Sequence, residues 1–333
     1  MTDQHATRST IEEIGARVLR SRWFFGLGSV AIVGLLALAT WPWWFNRFVL
    51  TATTRVVEIS SSSSALRVHD IGVKLPNGEI RVFGARADDL PPELAALATA
   101  FVSVRLVVST AILQSISLPS GAELFVRTTS DGGTDIGVLN DGSISLALYG
   151  SIERIDENGQ RTTLANVERA TAWEIRQAET SSPARLVLPP VDAPIALYNQ
   201  PIGDFYFRPP RTAGDDPRTF QSEILKGELK LLDTGTKIEL QPRELILLEG
   251  GSRFLSRLEV IDRVIAVDVS GEANRISIGP PRPGSPLHLD RDVTPSVLSY
   301  LVGQHELKLL WGVALALLGM LWKARLWALK YGK

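Results

Sequence analysis

The hydrophobic residues of this chain of 333 residues are concentrated in two uninterrupted stretches near its ends. The first stretch, residues 24–40, contains no charged residue and is flanked by aromatic residues on both sides. Twenty residue steps separate Trp23 from Trp43, and in a helix they cover roughly 30 Å, the hydrocarbon thickness of a bilayer. We therefore predict a transmembrane helix at 23–45. A buried core helix would be shorter, and a signal peptide would have a cleavage site after the stretch, where this chain has WPWWFNRF.

The second stretch, residues 309–322, lies between Lys308 and Lys323. Its length corresponds to only about 21 Å of helix, so a spanning helix must extend on both sides. We predict a second transmembrane helix at 302–326, and the alternative is a helix that lies in the membrane interface. Tryptophan rings favour the boundary between headgroups and hydrocarbon. The expected interface anchors are Trp23, Trp41, Trp43, Trp44, Trp322 and Trp327.

Basic residues next to the two stretches predict the orientation of the chain, because Lys and Arg are retained on the cytoplasmic side. The residues that determine this topology are Arg17, Arg20, Arg22, Lys323 and Arg325. Both termini are then cytoplasmic: a tail at 1–22 with a short amphipathic helix, and a basic tail at 327–333. The region between the stretches lies outside the cytoplasm, which in a bacterial inner membrane is the periplasmic side.

Residues 50–298 have the pattern of short strands separated by turns. In residues 143–152, apolar side chains alternate with small or polar ones, which is the period of a strand with one buried face. Combinations of Gly, Asn and Asp favour tight turns. We predict turns between antiparallel strands at 76–78, 130–133, 140–142, 157–159 and 233–235. One helix is predicted from Pro91, with Leu94, Leu97 and Phe101 on one face.

These patterns favour a mainly β fold, an antiparallel β-sandwich or jelly-roll-like domain at 50–298 between N- and C-terminal transmembrane helices. Residues 181–219 are rich in Pro, Asp and Arg. They are predicted to form a long surface loop or the boundary between two lobes.

The charge balance and the missing cysteines exclude several classes of protein. The chain has 35 Lys and Arg against 36 Asp and Glu, which argues against a nucleic-acid-binding protein. It has no cysteine, which excludes a disulfide framework, a thiolate zinc site and an iron–sulfur cluster. The histidines are scattered, and no nucleotide-binding or nucleophile motif is present. We therefore expect no catalytic residue and no cofactor.

Two groups of residues in the middle region are candidate binding sites. Asp131, Asp135 and Asp141 surround two consecutive turns and form a weak calcium site candidate, but Asp is also an ordinary turn residue, and we favour that interpretation. Phe205, Tyr206 and Phe207 are a candidate platform for a ligand or a partner. Because side chains alternate along a strand, we expect the two phenylalanines in the core and Tyr206 at the surface.

Small residues in the second apolar stretch predict close helix packing. Gly312, Ala316 and Gly319 fall on one helical face, where another helix can approach closely. That helix is either the first span of the same chain or a helix of another membrane protein.

Together these features favour a non-enzymatic accessory or assembly subunit of a larger complex in the inner membrane. Its periplasmic domain docks onto a partner protein, and its spans pack against the partner's membrane helices. The first alternative is a module that binds envelope polysaccharide or a small ligand during surface biogenesis or export. The second is an envelope hydrolase, which needs two carboxylates about 5–10 Å apart. Its candidates are Asp204, Asp215 and Asp216.

Overall fold

The computed structural model of this chain describes most of the middle region. The described residues are 46–62, 66–68, 71–97, 101–178, 182–191, 194–208, 222–281, 289–297, 299–300, 312, 315, 319, 322 and 323. The predicted tail at 1–22, the predicted span at 23–45 and most of the span at 302–326 therefore lie outside the described residues. Within the described part, no helix has both the length and the apolar character needed to cross a membrane.

The chain divides into two compact units. One consists of Met1–Trp44, Asp233–Gly235 and Thr294–Lys333. The other, which we call the β unit, consists of Phe45–Leu232 and Thr236–Val293. Its strands are β1 (Asn46–Thr54), β2 (Val56–Ser61), β3 (Leu66–Val68), β4 (Val73–Arg86), β5 (Phe101–Leu118), β6 (Glu123–Thr128), β7 (Thr134–Leu139), β8 (Ser143–Ile155), β9 (Arg161–Arg176), β10 (Ala184–Leu188), β11 (Ile195–Tyr206), β12 (Ile224–Leu231), β13 (Thr236–Leu240), β14 (Leu245–Glu249), β15 (Arg253–Ile261), β16 (Val264–Ala273), β17 (Arg275–Pro281) and β18 (Leu289–Asp292).

The β unit is mainly β, as predicted, and is built on one large antiparallel sheet. In the described part of the chain, this sheet has the order β13-β12-β1-β16-β15-β11-β2-β6-β7-β10-β4-β5-β8-β9, with β3 paired to β5. Strands β14, β17 and β18 form a second, small sheet. The large sheet owes its size to long strands such as β5, whose 18 residues pair with β3, β4 and β8.

The core lies on one face of the large sheet because apolar residues recur with period two along its strands. In β1, for example, Phe48, Leu50 and Ala52 are buried, and the residues between them are exposed or half-buried. Inward-facing residues from both ends of the strand order, such as Leu231 in β12 and Trp173 in β9, belong to one continuous buried cluster. Burial of each large aliphatic side chain contributes about 1.5–3 kcal/mol.

The end of β9 returns to β4 and closes part of the sheet on itself. Ala85 and Gln177 form an isolated antiparallel bridge, and the Ala178 N–H donates to the Gly84 carbonyl at 2.8 Å. The buried Gln177 amide extends this junction: its oxygen accepts from the Asn140 N–H at 2.9 Å, and its nitrogen donates to the Ser182 carbonyl at 2.9 Å. The outer strand β9 is thereby joined to β4, which lies three places away in the strand order.

The chain enters and leaves the β unit at the same end of the sheet. Asn46, the first residue of β1, pairs with Ala273 at the end of β16, and its side-chain amide donates to the Ala273 carbonyl at 3.3 Å. Three residues after Ala273, the Ile276 carbonyl accepts from the N–H of Val293, the last residue of the unit, at 2.9 Å. The first and last residues of the described β unit therefore lie near each other.

The turn predictions have mixed outcomes. The turns at 130–133, 157–159 and 233–235 join paired neighbours, namely β6–β7, β8–β9 and β12–β13, and these predictions are confirmed. At 140–142, Asn140 and Asp141 have the expected positive φ of 54° and 66°, but the strands that they connect, β7 and β8, are not neighbours in the sheet.

The prediction of a hairpin at 76–78 is wrong. Both flanks of this segment belong to one strand, β4, which continues through Pro76 and Gly78 opposite Thr110 and Val108 of β5. Asn77 has a φ of 47° within the strand. The flanks pair with the long strand β5 instead of with each other, so the Asn-Gly dipeptide lies within a continuous strand and does not reverse the chain.

The predicted helix is shorter than expected. A 3₁₀ helix spans Pro92–Leu97, with Leu94 and Leu97 buried, whereas Phe101, predicted on the same helical face, is the first residue of β5. Residues 181–219 do not form one continuous loop, because they contain β10 and β11, and both strands pair within the large sheet.

Candidate functional site

The outer face of the sheet, opposite the core, carries a row of aromatic and charged residues. Strand pairing places one residue of each of six neighbouring strands in register, in the order Tyr206, Glu58, Phe125, Gly137, Arg185 and Phe83. The next row contains Arg127, Asp135, Val187, Arg81 and Arg105. Because side chains alternate between faces, both rows point away from the core.

Asp135 in β7 is the central acidic group of this face. Its side chain is 0% exposed and is bound by two arginines from the neighbouring strands. Arg185 donates through Nε and Nη2 to the two carboxylate oxygens at 3.1 and 2.5 Å, and Arg127 donates through Nη2 at 2.7 Å. These charge-assisted hydrogen bonds offset the cost of burying the carboxylate.

Glu79 in β4 forms a second group of the same kind. Its Oε1 accepts from Nε of Arg81 at 2.9 Å, and from Nε and Nη2 of Arg105 at 3.0 and 2.9 Å. Burial raises the pKa of Glu79, but the hydrogen bonds and charges of Arg105 and Arg81 outweigh burial, so the pKa lies below its usual value of 4.5. Glu79 is therefore ionised at neutral pH.

The two groups leave an excess of positive charge. Four arginines, Arg81, Arg105, Arg127 and Arg185, share two carboxylates, and we call these six residues the arginine face. The arginine side chains are 33–46% exposed. Arg81 and Arg105 are direct cross-strand partners, an arrangement of like charges that is unfavourable without an anion between them.

The arginines also retain unused donors. A guanidinium group has five N–H donors. Among the described residues, Arg81 is bonded through Nε alone and Arg127 through Nη2 alone. The exposed remainder of each group is available to another anion. Chemically, this face can bind carboxylates.

Next to the arginine face, an aromatic ring packs over a glycine. The ring of Phe125 lies directly over Gly137, where an added Cβ would come within 1.9 Å of the ring atom Cε1. Gly137 pairs with Phe125 on one side and with Arg185 on the other. Because glycine has no side chain, the Phe125 ring can occupy the outer face beside Arg185. The Arg185 guanidinium in turn lies 5.6 Å from the Phe83 ring centroid, a cation–π contact.

The predicted platform of three aromatic residues is not formed, because the residues face opposite sides of the sheet. Phe205 and Phe207 are buried and pack edge to face, with ring centroids 5.6 Å apart, as strand alternation predicts. Tyr206 lies on the outer face, where the Arg208 guanidinium is 4.3 Å from its ring centroid. Burial, followed by the charge of Asp204, raises the pKa of Tyr206 above 10.0.

The three aspartates proposed for calcium do not converge. Asp131 accepts hydrogen bonds from the Thr129 hydroxyl and the Gly133 N–H within its own turn, Asp135 is bound to the two arginines, and Asp141 is exposed in the next turn. No group of three His, Asp or Glu side chains among the described residues is arranged to hold a metal ion. The turn interpretation accounts for Asp131 and Asp141.

Among the three aspartates considered for a hydrolase, Asp204 is described, and it forms an ion pair with an arginine. Asp204 accepts from Nη1 of the buried Arg253 at 2.7 Å. Asp215 and Asp216 lie outside the described residues, as do all four histidines.

The residues predicted from the apolar stretches are described at only a few positions. Gly312, Gly319, Trp322 and Lys323 are helical and exposed. Among the described residues, no atom outside the local helix backbone lies within 4 Å of a Cβ added at either glycine. The other predicted packing, anchor and topology residues lie outside the described residues: Ala316, Trp23, Trp41, Trp43, Trp44, Trp327, Arg17, Arg20, Arg22 and Arg325.

The arginine face is not predicted from the sequence. One signal was present: Glu79, Arg81 and Phe83 alternate with the buried Ile80 and Val82. This pattern places two charges and an aromatic ring on one face of a strand. The partners on β5, β6, β7 and β10 come from distant parts of the chain, and only the strand order brings them together.

Comparison of the chain with protein-family models, with curated proteins and with solved structures finds no match.

Proposed function

We propose that this chain is a non-enzymatic accessory or assembly subunit of a complex in the bacterial inner membrane. In this proposal, membrane helices at 23–45 and 302–326 hold a periplasmic, sandwich-like β domain, and both termini are cytoplasmic. The β domain binds a partner protein, and the helices pack against the partner's membrane helices. The surrounding bilayer is the other partner.

The observation that carries the docking function is the arginine face. Four partly exposed arginines around two carboxylates form a positively charged surface whose own ion pairs do not neutralise it. The ion pairs of Glu79 with Arg81 and Arg105 are partly exposed and contribute little to stability, so stability alone is a weak reason for this pair of arginines. An unneutralised, well-positioned cluster instead gives orientation and specificity to binding of an oppositely charged partner.

Anchoring at both ends is supported by the path of the chain. Asn46 and Val293 lie at the same end of the sheet. A membrane helix that ends before Asn46 and one that begins after Val293 would therefore join the β unit at residues that lie near each other. Tyr198 and Phe254, exposed on β11 and β15, add apolar surface of the kind found at protein interfaces.

The orientation is tested with single cysteines, since the chain has none. Asn158→Cys places a thiol in the exposed β8–β9 turn, and Thr7→Cys places one in the N-terminal tail. We expect a membrane-impermeant maleimide to label N158C in intact spheroplasts and T7C only after permeabilisation. Labelling of T7C alone in intact spheroplasts would contradict the proposed orientation. Absence of both variants from the membrane fraction would contradict the membrane anchoring.

Docking is tested by purifying the full chain from native membranes in mild detergent. We expect a stoichiometric partner that survives gel filtration and is identified by mass spectrometry. A monodisperse chain of 36.4 kDa with no partner would contradict the docking function.

A further inference from the structure

The two acidic centres of the arginine face are separated by a distance that suits an extended peptide. Asp135 faces Val187 across one strand spacing, and Val187 faces Arg81 across a second. Glu79 lies two residues from Arg81 on the same face. Spacings of about 4.8 Å between strands and about 3.3 Å per residue place the centres roughly 12 Å apart. Residues i and i+4 of an extended chain are about 13 Å apart.

The surface between the two arginine pairs is apolar. Val187 lies between Asp135 and Arg81, and Phe83 lies beside it on β4. Both side chains are half-buried and retain exposed area. A ligand that spans the two arginine pairs therefore needs an apolar group at its centre and an anionic group at each end.

We propose that the arginine face binds an extended protein segment with two carboxylate side chains four residues apart and an apolar side chain midway between them. One carboxylate contacts Arg81 and Arg105, the other contacts Arg127 and Arg185, and the apolar side chain covers Val187. This inference rests on the proposed docking function and specifies the chemistry of the partner's binding segment.

An acidic protein segment fits this face better than an anionic polysaccharide. Sugar rings stack on the open faces of aromatic side chains, and the guanidinium of Arg185 lies over the ring of Phe83. Val187 offers aliphatic contact, which favours an apolar side chain. The planar guanidinium groups match carboxylate geometry.

The inference is tested on the full chain in detergent with two labelled peptides, one containing Glu-Thr-Val-Thr-Glu and the other the same segment with Gln for Glu. We expect the Glu peptide to bind at low ionic strength, to weaken as salt rises, and to exceed the Gln peptide by about tenfold or more in affinity. Polygalacturonate is measured in parallel. Tighter binding of polygalacturonate than of the Glu peptide would overturn the inference in favour of a glycan.

Three variants locate the binding. Arg81→Gln with Arg105→Gln removes one arginine pair, and we expect about a tenfold loss of affinity for the Glu peptide. Arg169→Gln with Lys230→Gln removes the same charge from exposed positions on β9 and β12 and should leave affinity unchanged. Glu79→Gln frees both arginines and should tighten binding. Equal affinity of all three variants would overturn the inference. Glu79→Gln keeps the test decisive even if the double arginine variant folds poorly.

Native-membrane purification with the same variants separates this inference from the proposed function. Loss of the partner from the Arg81/Arg105 double variant, with retention by the Arg169/Lys230 control, would support both. Retention by both variants would contradict the inference alone. Absence of a partner from the unchanged chain would contradict the proposed function.

Discussion

At the residue scale, Asp135 is the buried acidic group that holds two of the four arginines of the arginine face. Its carboxylate is buried and accepts three hydrogen bonds from Arg127 and Arg185. We expect Asp135→Asn to lower the free energy of unfolding by about 2–3 kcal/mol. This is somewhat less than the cost of breaking a fully buried ion pair, because the guanidinium groups keep access to water. Urea denaturation measures the change. Asp141→Asn, at an exposed turn position, serves as control, and an equal effect of the two would contradict this role.

A second residue-scale prediction concerns Gly137. Its backbone is outside the left-handed region, so the constraint is steric and comes from the ring of Phe125. We expect Gly137→Ala to destabilise the protein by about 2 kcal/mol through overpacking. In a Phe125→Ala background, the same substitution should cost little, because the ring that it meets is gone. The double-mutant cycle measures this coupling, and additive effects would show that Phe125 is not the cause.

At the element scale, Arg253 connects the small sheet to the large one. From β15, its buried guanidinium donates to the Leu248 carbonyl in β14 at 2.5 Å, and to the Gly250 carbonyl, the Gly203 carbonyl and Asp204 at 2.7–3.2 Å. Both sheets therefore depend on one side chain for part of their contact.

We expect Arg253→Met to accelerate amide hydrogen exchange in β14 and in its partner β17 by about tenfold or more, since the freed carbonyls lose their donors. Exchange in β9, far away in the strand order, should be unchanged. Arg253→Lys should restore little, because one ammonium group cannot serve the same four acceptors. Arg257→Met, on the outer face of the same strand, is the matched control. Equal exchange in β14 for both variants would contradict the connecting role.

The elements also show how far local sequence determines this fold. Turns such as 157–159 were predictable because the strands on either side pair with each other across a short Gly-containing loop. The absence of a hairpin at 76–78 was not predictable, because the flanking residues pair with β5 and the local sequence does not indicate this pairing. Phe205 and Phe207 could be placed in the core from alternation, whereas the arginine face needed the order of five strands. The alternation of buried and exposed side chains along a strand can be recognised from neighbouring residues, but the order of the strands depends on residues far apart in the chain.

At the scale of the whole molecule, depressed carboxyl pKa values predict loss of stability in acid. A hydrogen bond from Thr129 lowers the pKa of Asp131 below 3.8, and one from Arg176 lowers the pKa of Glu174 below 4.5. Burial raises the pKa of Glu79, but Arg105 and Arg81 outweigh burial and lower this pKa below 4.5. Such groups stabilise the fold above their unfolded pKa values and lose this contribution as pH falls through their lower folded values.

We therefore expect the free energy of unfolding to change little between about pH 6 and pH 7 and to fall below about pH 4.5. Asp89, whose pKa is raised by burial and by Asp88, has the opposite slope and reduces the effect in part. Urea titrations between about pH 3 and pH 7 measure the profile, and Glu79→Gln should flatten its acidic end. Undiminished stability at pH 3 would contradict the prediction.

The position of β1 has a consequence for how the protein is made. Among the described strands, β1 is the first to leave the ribosome, yet its partners, β12 at 224–231 and β16 at 264–273, follow much later in the chain. During synthesis, the backbone hydrogen-bonding groups on both edges of β1 have no strand partner until more than half of the chain has been added. Such late, non-local pairing slows folding and leaves an open edge that is prone to aggregation. A nascent chain arrested before residue 224 should therefore expose β1 to chaperones or proteases, and release past residue 273 should remove that exposure.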